Sequence, residues 1–188
     1  MARPKSDAKR SAILAAAIKT IAEHGLSAPT AMIANEAGVS NGALFTYFET
    51  KADLFNEAYL QLKTDMAKSM TIVTPADADL RVQLRHVWEQ CLYWAISHPQ
   101  ERKAIACLSV SPDVTPTTRE AASQSIHEVV ALLDRIRASG AMHDAPLMFV
   151  GSLVMALIEA TTQYMAEDPA NAPIHARTGF EALWRMVS

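Results

Sequence analysis

Apolar residues along this 188-residue chain return every third or fourth position, and the runs they form stop at glycine or proline. The prolines, Pro4, Pro29, Pro75, Pro99, Pro112, Pro116, Pro146, Pro169 and Pro173, all fall at breaks in that rhythm. No run alternates as a strand would, and Asn41-Gly42 does not join two alternating runs. The pattern predicts an all-α protein of about nine helices. The first covers Asp7 to His24, with Ile13, Leu14, Ala17, Ile18, Ile21 and Ala22 as its apolar stripe and Gly25 as its stop. The second runs from Pro29 to Ala37 and the third from Ser40 to Phe48. The fourth starts after Thr50, which has capping-box spacing to Asp53, and reaches Met70. The fifth is Ala76 to Ser97, the sixth Gln100 to Val110, the seventh Pro116 to Gly140, the eighth Asp144 to Glu167 and the ninth Ile174 to Val187.

One segment breaks the usual partition of apolar and charged positions. "AGVSNGALFTYFETKADLF", Ala37 to Phe55, gathers small and aromatic side chains and carries no charge before Glu49. Two short helices around Gly38 predict a helix-turn-helix, the glycine supplying positive φ or close helix approach. Ile33, Ala34 and Ala37 pack the first helix inward, Val39, Leu44 and Phe48 anchor the second, and Ser40 is placed to cap it. Asn41, Gly42, Ala43, Phe45, Thr46 and Tyr47 are then left on or near an outer face. Small residues there let a helix enter the major groove, where Asn41 can pair with a base edge and Ala43 or Phe45 can touch a thymine methyl. Thr46, Tyr47, Lys51 and Thr30 are placed to reach phosphates. A glycine-containing helical corner whose aromatics serve a local core has the same spacing, so the residues alone leave both readings open.

Charge sharpens the division. Residues 1–51 hold six basic and four acidic side chains, a net of +2, which leaves −5 for the remainder of a chain whose formal charge is −3. The chain as a whole is not a basic nucleic-acid binder, but it can carry a local basic patch. Arg3, Lys5, Lys9 and Arg10 form a basic arm that can follow DNA or remain a solvated terminus. The two cysteines, Cys91 and Cys107, lack metal-site spacing, so no metal or cofactor is expected. The N-terminal residues lack a signal-peptide core, and the uncharged run from Ala145 to Ile158 is short for a bilayer. A cytoplasmic protein without membrane association is expected, with that run as a buried helix.

Two blocks, "ILAAAIKTIAEHG" and "IANEAGVSNGALFTYFETKADLF", resemble the DNA-binding domain of TetR/AcrR-type transcriptional regulators. The shared pattern is an amphipathic first helix, Ile-Ala, Ala-Gly-Val-Ser, a Gly, Tyr-Phe and Lys-x-x-Leu, and it covers about the first third of the chain. The resemblance implies a DNA-binding domain over residues 1–51, and an effector-binding and dimerisation domain over 52–188. The expected function is that of a non-enzymatic, ligand-responsive regulator, a repressor released from a near-palindromic double-stranded operator by a small, largely apolar effector. Two departures stand out. Phe45 replaces a tyrosine whose hydroxyl commonly binds phosphate, and Ala28-Pro29 replaces a region often rich in hydroxyls.

Two sets of residues in the later helices fit those implied roles. Ser152, Ala156, Ala160 and Gln163 share one face of the eighth helix, and Phe180, Leu183, Trp184 and Val187 form an apolar edge on the ninth. Small residues at that spacing allow close helix approach, either within one chain or across a homodimer axis, and the resemblance favours the homodimer. The effector candidates are Trp88, Cys91, Trp94, Ile126, Val130, Met148, Met155 and Glu159, on the argument that methionine and aromatic groups line pliable pockets. Each also suits ordinary core, and Glu159 is the lone charge in a long apolar helix. A helical protein-interaction module, or a thiol redox sensor using Cys91 and Cys107, remains an alternative to effector binding.

Overall fold

The predicted periodicity becomes ten α-helices and one 3₁₀ turn among the described residues, with no strand among them. The computed structural model describes residues 3–70 and 78–188, with side chains from Asp7 onward. In chain order the helices are α1 (Arg3–His24), α2 (Thr30–Glu36), α3 (Asn41–Tyr47), α4 (Lys51–Ser69), α5 (Leu80–Ser97), α6 (Pro99–Ser109), α7 (Pro116–Gln124), α8 (His127–Ala138), α9 (Leu147–Glu167) and α10 (Ala172–Val187). The expected start of the fifth helix at Ala76 lies outside the described residues, as do the side chains of Arg3 and Lys5. The expected seventh helix is two. Ser125 ends α7, and Ile126, at φ −120° and ψ 23°, leaves helical geometry before α8 begins. Ser123 Oγ donates to the Arg119 carbonyl, and a run of short polar residues before a β-branched one holds a helix poorly.

The chain divides into two units: residues up to Asp65 with His98–Ser125, and Met66–Ser97 with Ile126–Ser188. The boundaries within the chain therefore fall inside α4, before α6 and between α7 and α8.

In the first unit, α1 packs on α6 and α2. Ile13, Ala16, Ala17 and Ile21 of α1 are buried, as are Ala104, Ile105 and Leu108 of α6. Alanines on both sides let the helix axes approach closely. Gly25, at φ +74°, ends α1 with its N–H on the Ile21 carbonyl. Asn56 of α4 clamps the segment before α7, donating to the Asp113 carbonyl (2.7 Å) and accepting from the Thr115 N–H (2.9 Å). Thr115 in turn caps α7 at the Thr118 N–H.

In the second unit, α9 packs on α10, α5 and α8. Trp88 is buried, and its Nε1 donates to the Ala176 carbonyl at 3.0 Å, which satisfies its only donor. Arg81 of α5 grips Glu181 of α10 through two contacts of 2.6 Å. Before α10, hydrogen bonds from Asn171 and then His175 hold the Asp168 carboxyl below its ordinary pKa. Gly179 of α10 has no room for a side chain: a Cβ there would lie 2.4 Å from Thr161 Oγ1 and 2.7 Å from Trp88 Cζ2.

The expectation of a buried helix after Ala145 is corrected. Of the 21 residues of α9, only Val150, Thr161 and Thr162 are buried. Met148 is 80% exposed, and Phe149, Met155 and Tyr164 are also exposed. Helix formation continues past Glu159 to Glu167, so by length and composition α9 could cross a bilayer.

Candidate nucleic-acid interface

The turn between α2 and α3 is built by local chemistry. Gly38, at φ +66°, donates to the Asn35 carbonyl (3.1 Å), and Val39 donates to that of Ala34 (2.9 Å). These two bonds form a Schellman motif with the glycine at its left-handed position. One residue further, Ser40 takes an extended conformation and its Oγ accepts the Ala43 N–H at 3.1 Å, capping α3. Phe48 ends α3 and sinks into the core with Leu44. Thr50 and Asp53 then form the expected capping box, each accepting the other's backbone N–H at 3.0 Å.

This construction fixes which side of α3 faces outward. Leu44 is buried, Ala43 and Tyr47 are half-buried, and Asn41, Gly42, Phe45 and Thr46 are exposed. Phe45 is 40% exposed, an unusual position for a phenyl ring. Thr46 Oγ1 donates back to the Gly42 carbonyl at 3.3 Å, so its proton is engaged within the helix. Thr30 opens α2 and is half-buried. Met32, an exposed apolar side chain on α2, lies outside the set chosen from sequence. Its exposure could have been inferred, because Ile33 and Ala34 claim the inner face.

Lys51 and Arg10 have partners within the protein that their expected roles did not include, and Lys19 has one as well. Lys51 Nζ donates to the carbonyls of Leu26 (2.8 Å) and Ala28 (2.7 Å) and lies over the Phe55 ring. It ties α4 to the loop after α1, which leaves one N–H of the ammonium for any phosphate. Arg10, assigned to a basic arm, pairs with Glu57 and stacks over Phe48. Lys19 bonds Glu36 at 2.6 Å, joining α1 to α2, and this bond and Glu36's charge raise its pKa.

Gly38 supports a direct prediction. A Cβ there meets nothing within 4 Å, so the cost of Gly38→Ala is confined to the positive φ. We expect a loss of about 1–2 kcal/mol, read as a lower denaturation midpoint by circular dichroism. Unchanged stability would mean that the turn does not need its left-handed residue.

The remaining site residues separate by exposure. Trp88, Cys91 and Trp94 are core side chains of α5, and neither cysteine forms a disulfide. Ile126 and Val130 are half-buried at the start of α8. Met148, Met155 and Glu159 do not join them inside. They lie on the exposed side of α9 with Ser152, Ala156, Ala160 and Gln163. Conversely Phe180 and Leu183, expected at an interface, are 2% and 1% exposed and fill the unit's own core; Trp184 is half-buried. Among the described residues, no cluster of three or more His, Cys, Asp or Glu could hold a metal ion.

Comparison with known proteins agrees with this geometry. The family described as bacterial regulatory proteins, tetR family, matches residues 13–58, which is α1 through the first part of α4. The chain is 42% identical over 62 residues to the "Probable acrEF/envCD operon repressor" of Escherichia coli K12, a match covering 31% of the chain and 28% of that repressor's length. Over nearly its whole length it is similar to a protein from Shewanella sp. PV-4 assigned to the tetR family of transcription regulators. There the TM-score is 0.82 at 26% identity, covering 95% of this chain and 97% of the other. LfrR from Mycobacterium smegmatis, solved in complex with proflavine, shares the fold at 20% identity and a TM-score of 0.64, covering 94% and 95%.

Proposed function

The chain belongs to the TetR family of bacterial transcriptional regulators, and from that premise we propose that it is a dimeric repressor that reads a near-palindromic duplex with α3 and releases it on binding a small, largely apolar effector. The observation carrying the reading is the outward face of α3. Asn41, Gly42, Phe45 and Thr46 face out on a helix whose anchors, Leu44 and Phe48, are buried. Ala43 adds a methyl at the edge of that face, Ser40 holds the helix by its cap, and Thr30, Tyr47 and the last N–H of Lys51 take phosphates. Binding then weakens steeply with salt, because phosphate contacts release counterions.

Dimerisation follows from α9. Its exposed side combines small groups, Ser152, Ala156 and Ala160, with polar Glu159 and Gln163 and large apolar groups at its borders. Small and polar residues in mid-helix suit close approach of another helix better than contact with lipid chains. A second copy of α9 across a two-fold axis, with Trp184 of α10 near the edge, covers this face. Two copies of α3 then reach successive major grooves, roughly 34–36 Å apart. We keep residues 1–51 as the DNA-reading segment and 52–188 for effector binding and dimerisation. The effector site falls among Trp88, Cys91, Trp94, Ile126 and Val130. The fold relative solved with proflavine supports a small-ligand site in this architecture. The effector acts by preferring one spacing of the two reading units, since equal affinity for both would shift nothing.

The test begins with duplexes retained from a random pool by the full chain. Gly42→Ala is the cleanest variant, because its Cβ meets nothing within the protein. It is expected to raise helix stability by up to about 1 kcal/mol while weakening the selected duplex about tenfold by blocking close approach to the groove. Asn41→Ala and Tyr47→Ala are expected to weaken it as well. Unchanged affinity in all three variants would remove α3 as the reading element.

A further inference from the structure

Resting on the DNA-reading assignment above, we propose that α3 reads A·T pairs, and that adenine edges and thymine methyl groups, not guanines, carry its sequence selectivity. Guanine presents two acceptors to the major groove, O6 and N7, and its commonest partner is an arginine or lysine donating to both. The helix NGALFTY contains neither. Three basic groups of the neighbouring helices have partners within the chain: Lys51 on two carbonyls, Lys19 on Glu36 and Arg10 on Glu57. Thr46 has its hydroxyl proton on the Gly42 carbonyl.

The groups that do face outward match the other base pair. Asn41 carries one amide donor and one carbonyl acceptor side by side, the complement of adenine N6–H and N7. The Phe45 ring has no polar atom, so in the groove it gains only by covering an apolar surface. The thymine 5-methyl is the one such group that a base pair displays there. A G·C pair at the same position would face the ring with acceptors that lose water and gain no donor, which is unfavourable. The substitution of phenylalanine for tyrosine thus becomes a gain in discrimination as well as a lost phosphate contact.

Selection from a random duplex pool by the full chain, followed by single-atom changes in the retained duplex, tests this. Uracil differs from thymine only by the methyl, and 7-deazaadenine lacks only N7. The expected result is A·T pairs at the positions protected in the major groove of each half-site. Uracil at one such thymine should weaken binding about fourfold, the value of one buried methyl-sized group. That loss should vanish in Phe45→Ala. Deazaadenine at one adenine should weaken binding about tenfold, and that loss should vanish in Asn41→Ala. Circular dichroism of both variants checks that the helices persist. G·C pairs fixed at the protected positions, or indifference to both base analogues, would overturn the proposal and leave DNA binding standing. Retention of no duplex even at low salt would overturn the DNA-reading assignment and this proposal with it.

Discussion

Ala156→Arg is expected to convert the protein from dimer to monomer and to lower affinity for its selected duplex by two orders of magnitude or more. Ala156 is exposed in the single chain, on the side of α9 that holds Ser152, Ala160 and Gln163. In the protomer alone an arginine there points to water, where surface substitutions change stability by only about 0.5 kcal/mol. Against a second α9 it places two guanidinium groups where small side chains allowed contact. A buried, unpaired charge costs about 3–5 kcal/mol, which moves a dimerisation constant by two to four decades. DNA affinity falls with it, because one seven-residue α3 contacts too few base pairs to hold an operator by itself. Light scattering and duplex titration at matched protein concentration read the two effects. A variant that stays dimeric and binds duplex normally would place the interface elsewhere. Phe180→Arg gives the contrast: that side chain is core, so the protomer itself should unfold.

The contrast between Ala156 and Phe180 also marks what the sequence could disclose. Periodicity located the helices because burial of one side repeats every turn, and the turn at Gly38 was legible because its chemistry is local. The glycine, the serine cap three residues before its acceptor and the Thr50–Asp53 box all act within a few positions. Periodicity could not tell whether an apolar side meets its own chain or another. Phe180 and Leu183 turned inward, while Met148 and Met155 turned outward on a more hydrophobic helix. The packing of Lys51 was illegible for a related reason. Its motif position suggested a phosphate, but its carbonyl partners are 23 and 25 residues away in sequence, and only folding brings them together. Arg10 and Glu57, 47 positions apart, are the same case. The break at Ser125 carries neither glycine nor proline, and its short polar residues before Ile126 are a weaker local signal than either.

Gly179→Val should lower the stability of the second unit by about 3 kcal/mol or more, without touching any residue placed on DNA or at the dimer axis. Glycine inside a helix normally costs about 1 kcal/mol relative to alanine, so its presence in mid-α10 calls for a compensating contact. The contact is α10 against α9 and α5: an added Cβ would lie 2.4 Å from Thr161 Oγ1, 2.7 Å from Trp88 Cζ2 and 3.2 Å from Thr161 Cγ2. Neither neighbour can yield easily. Thr161 is buried, and Trp88 is fixed by its bond to the Ala176 carbonyl. Even alanine therefore forces α10 outward, and the usual cost of overpacking, about 1–3 kcal/mol, exceeds the helical gain; valine adds two more methyl groups to the clash. All three tryptophans, Trp88, Trp94 and Trp184, belong to this unit, so their fluorescence reports its unfolding selectively. At about 2–4 °C per kcal/mol for a chain of this size, the valine variant should melt about 6–12 °C lower. The alanine variant should fall between it and the parent. Combining Gly179→Ala with Thr161→Ala removes both Oγ1 and Cγ2 from the clash, so the pair should be more stable than the sum of the single effects. Strict additivity, or a stabilised Gly179→Ala, would show that the helices have room to spare and that close approach is not what selects glycine at this position.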